Sequence, residues 1–231
     1  MHYKVRNKWI HSENAALSTE RASKWVIDYF GSLPRAAIAL DYGCGKLRFT
    51  IPLALQVKKV VALDSPQQIE REQKIDGCRT TTRGYAKKYL SNVRVCSTDE
   101  KWWKCRKFDF VLCSNVLSCV PRYTERKKIL RNIGKALKRN GHCLVFNQHR
   151  NTYFRRYEKQ SNARKHIDGW LIDLERRFSF YGIISPKRLR AMCVAEGFKV
   201  LRNGVVGESA YCLIASSKAK KAQLRAIPTR R

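Results

Sequence analysis

The chain has 231 residues, and its 48 lysines and arginines against 18 acids give a formal net charge of +30. This length suits one α/β domain with a full core, or at most two small domains. No apolar run approaches the roughly 18 residues that a membrane-spanning helix needs, and the N-terminus has no apolar segment typical of a secretory signal. We therefore expect no membrane contact and a cytoplasmic location.

The nine cysteines indicate a reducing environment. Their number is odd, they are scattered, and no C-x-x-C pair occurs. Several lie in apolar, strand-like runs, which is typical of buried free thiols. A zinc site needs clustered ligand pairs, so we expect no metal.

The first part of the chain alternates helix-like and strand-like segments. Residues 17–30 predict an amphipathic helix, and 1–35 as a whole is predicted to form an N-terminal helical cap. Apolar strands are predicted at 36–42 and 58–64, with a helix at 47–56 between them.

The alternation continues to residue 149. Strands are predicted at 92–97, within 107–117 and at 140–148, and 122–138 predicts a helix with apolar residues at a four-residue step. Five strands that alternate with helices indicate a parallel, doubly wound sheet of the α/β class.

The last third of the chain follows another pattern. Residues 150–184 are polar, basic and aromatic, and we assign them no place in this sheet. Residues 185–198 predict a capped helix, and 198–217 predicts two strands joined by a turn that contains glycine. The tail, 218–231, has no acid, and we expect it to be mobile.

The stretch ALDYGCGKLRF, residues 39–49, combines Asp41 with Gly43 and Gly45 directly after an apolar strand. A glycine-rich turn between a strand and a helix lets a ligand approach the backbone closely. Asp64 ends the next strand, 23 residues after Asp41, close to the spacing of an acid that reaches ribose hydroxyls. The dinucleotide fingerprint fails at Arg48, where a third glycine is needed. The sequence therefore predicts another adenosine-containing ligand.

The pattern Asp41-x-Gly43-x-Gly45 resembles the first motif of the class I S-adenosylmethionine-dependent methyltransferases. VVALDS resembles their second motif, FDFVLCSNVLSCVP their fourth, and GFKVLRNGVVGESAYCLIASS their closing strand pair. The resemblance covers roughly 36–216. It implies a Rossmann-like fold: a doubly wound, mostly parallel seven-stranded sheet with an antiparallel last strand. It also implies an enzyme with S-adenosyl-L-methionine as cofactor.

The resemblance also divides the chain. After the N-terminal cap, 36–149 would be the cofactor-binding half and 150–184 a basic, aromatic insertion at the acceptor site. A final helix and strand pair would occupy 185–217, and a basic tail 218–231.

The resemblance implies roles for the residues of the first two motifs. Gly43 and Gly45 would pass under the methionine part of the cofactor. Asp41 would brace that loop or meet the amino group, and Asp64 would bind the ribose. The chain departs from the family where Lys46 replaces the usual glycine, and where the common third glycine falls at Leu47.

Two further cofactor-binding residues follow from the later motifs. Asp99, just after the third strand, would meet the adenine, with Ser97 or Thr98 as alternatives for that position. Asn115, at the end of the fourth strand, would line the floor near the methyl group.

Methyl transfer from a sulfonium is an in-line displacement, so alignment does much of the work. A base matters only if the acceptor is protonated at the working pH. Asn115, Gln148 and His149 lie at the carboxyl ends of the fourth and fifth strands. We take Asn115 and His149 as the candidate catalytic residues, since His149 can take a proton at neutral pH.

The acceptor is left open. The +30 charge and the mixed basic and aromatic segment RNTYFRRYEKQSNARKH slightly favour a nucleic acid, RNA more than DNA. The stretch SNVLSCVP lacks the N-P-P-Y-like motif that stacks a flipped base, and it favours a small-molecule acceptor. A third alternative is a non-catalytic nucleic-acid-binding module on the same fold. The oligomeric state is not indicated.

Overall fold

The computed structural model describes residues 2–5, 7–15, 22–150, 156–174 and 177–216. Its strands are β1 (His2–Val5), β2 (Lys8–His11), β3 (Ile38–Tyr42), β4 (Lys59–Asp64), β5 (Gln73–Ile75), β6 (Cys78–Thr80), β7 (Val93–Ser97), β8 (Phe108–Ser114), β9 (Leu137–Gln148), β10 (Ala163–His166), β11 (Gly169–Leu174), β12 (Arg177–Gly182), β13 (Phe198–Val206) and β14 (Ser209–Ser216). Its α-helices are α1 (Lys24–Phe30), α2 (Thr50–Ala54), α3 (Pro66–Glu70), α4 (Thr82–Tyr89), α5 (Tyr123–Ala136) and α6 (Pro186–Ala195).

The main sheet has seven strands in the order β7-β4-β3-β8-β9-β14-β13. The first five strands of this order run parallel to one another, whereas β14 is antiparallel to both β9 and β13. From β3 the strand order runs outward through β4 to β7, and the chain then returns to β8 on the other side of β3. In such sheets ligands bind at this switch in strand order, beyond the carboxyl ends of the strands. The predicted doubly wound, seven-stranded fold with an antiparallel last strand is confirmed.

Helices cover both faces of this sheet, which explains why its central strands are almost continuously apolar. Ile129 and Ile133 of α5 are buried on one face. Val26 and Phe30 of α1, with Leu53 of α2, are buried on the other. The two packed faces hold the strand ends of β3, β4 and β8 rigidly beside one another.

A second, five-stranded sheet has the order β1-β2-β12-β11-β10. An N-terminal hairpin, β1–β2, joins the antiparallel strands of the 150–184 segment, and β2 meets β12 in parallel at the pair Ile10 and Phe178. The prediction that 150–184 lies outside the main sheet agrees with this arrangement. The prediction of a helical cap over 1–35 is wrong for its first part, which forms the strands β1 and β2. Among the described residues of this range, α1 is the only α-helix, and residues 16–21 lie outside the described ranges.

The second sheet is fastened to the main body by a buried ion pair. Arg126 of α5 is fully buried, and its guanidinium donates to both carboxylate oxygens of Asp168 at 2.5 and 2.8 Å. Its Nε donates to the Val120 carbonyl oxygen at 2.8 Å. Because charges lose their hydration on burial, this bidentate geometry is what makes the pair tolerable. Asp168 lies in the β10–β11 turn, so the pair ties that turn to α5.

No α-helix in the described ranges is long and apolar enough to cross a membrane. The tail predicted over 218–231 lies outside the described residues, and the domain boundaries stay predictions.

Candidate active site

A cleft opens at the carboxyl ends of β3, β4 and β8, and the loop after β3 forms its floor. The backbone N–H groups of Gly43 and Cys44 donate to the Leu63 carbonyl oxygen at 2.7 and 3.0 Å, so the loop folds back over the end of β4. Gly43 has φ +85°, and a Cβ there would lie 2.3 Å from Cγ2 of Val116. Only glycine fits at this position.

Asp64 is fastened to the same loop. Its Oδ2 accepts from the Gly45 N–H at 2.8 Å, and its Oδ1 accepts from the Ser65 N–H at 2.7 Å. Burial raises the pKa of this carboxyl, and the two N–H donors partly offset that effect. A carboxylate oxygen can accept more than one hydrogen bond, so both oxygens can still receive ribose hydroxyls.

Asp41 lies beneath the loop. Its carboxylate accepts from the Thr50 hydroxyl at 2.6 Å, which joins the end of β3 to α2. Burial raises the pKa of Asp41 to about 7, against the opposing effect of the Thr50 hydrogen bond. Both roles that the resemblance implies for Asp41, bracing the loop and meeting the cofactor amino group, stay predictions.

The two departures from the family pattern are both visible here. Leu47 is fully buried with φ +62°, so a leucine adopts the left-handed conformation that favours glycine. Such a conformation costs roughly 1–2 kcal/mol for an L-residue, and burial of the leucine side chain beside Ala62 and Ile69 offsets it. Lys46 is half-buried and lines the cleft.

Asn115 joins the ends of β8 and β9 within the cleft. Its Oδ1 accepts from the Gln148 N–H at 3.1 Å, and its own N–H donates to the Phe146 carbonyl oxygen at 2.7 Å. It also has φ +57°. An amide takes no proton at neutral pH, and these hydrogen bonds hold Asn115 at the ends of β8 and β9. Its roles in catalysis and cofactor binding stay predictions.

The structure brings five of the predicted site residues to the cleft and leaves two outside it. Asp41, Gly43, Gly45, Asp64 and Asn115 line the cleft.

The carboxyl group of Asp99 is exposed, and the neighbouring Thr98 lines the cleft, where its N–H donates to the Asp64 carbonyl oxygen at 2.8 Å. His149 likewise lies past the cleft: its N–H donates to the Glu208 carbonyl oxygen at 2.9 Å, and Gln148 lines the cleft instead. Burial, and to a lesser degree Arg150, lower the pKa of His149. The roles of Asp99 and His149 stay predictions.

The opposite wall of the cleft comes from the second sheet and the turn after its hairpin. Its residues are Tyr3, Ser12, Glu13 and Tyr181. Tyr3 and Tyr181 are buried, and burial raises the pKa of Tyr181 to about 12. The ring of Tyr181 stacks on Tyr157 with centroids 5.7 Å apart.

Glu13 brings a carboxylate to this wall. Its Oε1 lies 3.3 Å from Nδ1 of His11, and its carbonyl oxygen accepts from Arg71 at 3.0 Å. None of the four residues of this wall was predicted from the sequence. No motif or spacing marks them, since they come from opposite ends of the chain.

A family model described as a methyltransferase domain matches residues 13–203. The chain belongs to the methyltransferase domain family. The predicted class I S-adenosylmethionine-dependent methyltransferase is thereby confirmed in family and fold. The "Uncharacterized protein YmfD" of Escherichia coli (strain K12) is 33% identical over 219 residues, which cover 95% of this chain and 98% of YmfD.

Two solved structures show the same fold. The PH0226 protein from Pyrococcus horikoshii OT3 has a TM-score of 0.62 at 18% identity, covering 80% of this methyltransferase and 84% of that chain. The 1,6-didemethyltoxoflavin-N1-methyltransferase from Burkholderia thailandensis, solved with 1,6-didemethyltoxoflavin and S-adenosylhomocysteine, has a TM-score of 0.51 at 17% identity. That match covers 78% of this methyltransferase and 70% of the Burkholderia chain.

The cleft fits S-adenosylmethionine, the cofactor of this enzyme class. Gly45 has open space beside its backbone, which a side chain would occupy, and Asp64 presents acceptors for ribose hydroxyls. Thr98 lines the cleft just past the end of β7, where the adenine contact is predicted.

Proposed function

We propose that this methyltransferase transfers the methyl group of S-adenosylmethionine to a small-molecule acceptor held between the two sheets. One observation carries the proposal: buried Tyr3 and Tyr181, together with Glu13, line the cleft from the second sheet and from the turn after its hairpin. A cleft lined on this side by buried side chains suits a small molecule, which can be taken up as a whole, better than a polymer. The Burkholderia thailandensis structure, with its small bound acceptor, supports the same interpretation.

Gly43, Gly45 and Asp64 would hold the cofactor, with Asp41 bracing the loop from below. When bound, S-adenosylmethionine supplies an electrophilic methyl group. The main task of the chain is then alignment, because holding two reactants in line contributes about 7–11 kcal/mol to lowering the barrier. Asn115 serves that task by fixing the floor between β8 and β9.

The acceptor's proton has a candidate receiver in Glu13. It is the carboxylate of the wall that faces the cofactor loop, and it reaches His11 at 3.3 Å. His149 lies beyond the cleft, so Glu13 takes precedence over it in this proposal. An acceptor that is unprotonated at the working pH needs neither residue.

The test is transfer of a radiolabelled methyl group from S-adenosylmethionine into a fractionated cell extract. We expect label in the small-molecule fraction that is unaffected by nuclease. Label in RNA that nuclease removes would contradict the small-molecule proposal. It would support the RNA acceptor predicted from the +30 charge, which stays a prediction together with the cytoplasmic location. Absence of label in every fraction would contradict catalysis altogether.

A further inference from the structure

Lys46 is a cation in the middle of the cofactor loop. It follows Gly45, whose N–H holds the Asp64 carboxylate at 2.8 Å, and it precedes the strained Leu47. Its side chain is half-buried and lines the cleft. The loop therefore carries a basic side chain at the position where the resemblance leads us to expect a glycine.

The charges of the cleft are unevenly satisfied. The carboxylates of Asp41 and Asp64 accept hydrogen bonds from Thr50, Gly45 and Ser65. Lys46, in contrast, has no hydrogen bond or ion pair with any residue in the described ranges.

The surroundings of Lys46 disfavour its charge. Burial, and to a lesser degree the like charge of Arg71, lower the pKa of the Lys46 ammonium. Arg71 itself is held by the Glu13 carbonyl oxygen and by Gln73. A half-buried ammonium without a counter-charge is stabilised when an anion arrives, because it then regains the interactions that it lost with water.

S-adenosylmethionine carries one anionic group, the carboxylate of its methionine part. That carboxylate also loses water on entering the cleft, and Asp41 and Asp64 repel it. A cation in the loop beneath the methionine part would replace the lost hydration of that carboxylate and offset the repulsion by the two acids.

We propose that Lys46 binds the methionine carboxylate of the cofactor and so replaces, by a charged side chain, part of the loop's backbone recognition. The inference rests on the proposed use of S-adenosylmethionine, and it adds a specificity-determining residue to that site. It predicts that a substitution of Lys46 weakens ligands that contain the amino-acid part of the cofactor much more than ligands that lack it.

The experiment compares two ligands by isothermal titration calorimetry. S-adenosylhomocysteine has the carboxylate, and 5′-methylthioadenosine lacks the whole amino-acid part. Both are titrated into the full chain and into Lys46→Met, Lys46→Arg and Lys74→Met. Lys74 is an exposed lysine of β5 outside the cleft, so Lys74→Met makes the same change in net charge at another place.

We expect Lys46→Met to weaken S-adenosylhomocysteine about tenfold or more, as the loss of a charge-assisted hydrogen bond does. The affinity for 5′-methylthioadenosine should change less than about twofold. Lys46→Arg should restore most of the loss, and Lys74→Met should bind both ligands as the unchanged chain does.

Two results would overturn the inference. Equal losses for both ligands would mean that Lys46 acts through the shape of the loop, and unchanged affinities would mean that its partner is not the cofactor. Failure of the unchanged chain to bind S-adenosylhomocysteine would be a different result, because it would contradict the proposed function itself.

Discussion

The two walls of the cleft are built in opposite ways. The cofactor wall comes from one loop, residues 41–47, and from Asp64 at the end of the adjacent strand, within a ladder of parallel strands. The opposite wall, formed by Tyr3, Ser12, Glu13 and Tyr181, is the proposed acceptor wall. It joins Tyr3 to Tyr181, 178 positions apart in the chain, through a parallel pairing described at one residue pair, Ile10 and Phe178. The first wall depends on contacts between neighbouring segments of the chain. The second depends on contacts between distant segments, namely the pairing of β2 with β12 and the ion pair between Arg126 and Asp168. Variants that affect one wall should therefore leave the other largely intact.

The largest effect is expected where the acceptor wall is fastened. Asp168→Ala leaves the buried Arg126 guanidinium without its counter-charge, and removal of one partner of a buried pair typically costs about 3–5 kcal/mol. We expect the free energy of unfolding in urea to fall by this amount. The affinity for S-adenosylhomocysteine of the protein that stays folded should change little.

Glu70→Ala is the matched control for Asp168→Ala. It removes the partner of Arg83 in an exposed pair whose Nε–Oε1 distance is 2.7 Å, and exposed pairs contribute about 1 kcal/mol or less. Equal losses of stability in the two variants would contradict the fastening role of Asp168.

A pH-dependent effect is expected on the cofactor wall. Folding raises the pKa of Asp41 from 3.8 to about 7, so between these values the folded chain holds a proton that the unfolded chain has released. Stability is therefore lost as the pH rises from about 4 to about 7, by up to about 4 kcal/mol. Asp41→Asn cannot ionise and should remove this part of the slope.

The check on Asp41 is the free energy of unfolding of both proteins, measured across this pH range. Asp64, whose pKa burial also raises, contributes to the slope of both proteins. The difference between them therefore isolates Asp41, and parallel curves would show that its charge is already compensated.

The glycine loop can be tested with a steric substitution. Gly43→Ala combines a positive φ with a Cβ 2.3 Å from Cγ2 of Val116. We expect a loss of about 2–4 kcal/mol of stability, from backbone strain and overpacking together, and loss of S-adenosylhomocysteine binding.

Gly77→Ala separates these two costs. Gly77 has φ +84° in the β5–β6 turn, but a Cβ added there would have no atom within 4 Å. This control should lose only about 1–2 kcal/mol and should still bind. A larger loss for Gly77→Ala than for Gly43→Ala would refute the steric argument.

The smallest effect is expected for ribose recognition. Asp64→Ala removes two hydroxyl acceptors, and it should weaken S-adenosylhomocysteine about 10- to 100-fold in calorimetry. Asp99→Ala should bind as the unchanged chain does, because the structure places that carboxyl outside the cleft. If Asp99→Ala also weakened binding, the adenine contact predicted for Asp99 would hold after all.

Near the strand ends, single positions decide which predicted residue lines the cleft. Asp41, Gly43 and Asp64 follow directly from apolar runs whose ends meet at one sheet edge, so their convergence was predictable. Thr98 and Asp99 are neighbours in the chain, but in the turn after β7 Thr98 lines the cleft and Asp99 is exposed to solvent. Turn geometry of this kind depends on hydrogen bonds to other strands, which are not visible in a single segment.

The sequence alone determined the parallel sheet, the cofactor loop and its acid, because hydrophobic periodicity and glycine placement act over a few residues. Only the tertiary structure decided which residues form the opposite wall of the cleft. Tyr3, Glu13 and Tyr181 meet because the N-terminal hairpin adds strands beside β12, and Arg126 holds the turn before β11 in place. Such contacts gain their free energy only after distant segments have closed together, so no local pattern records them.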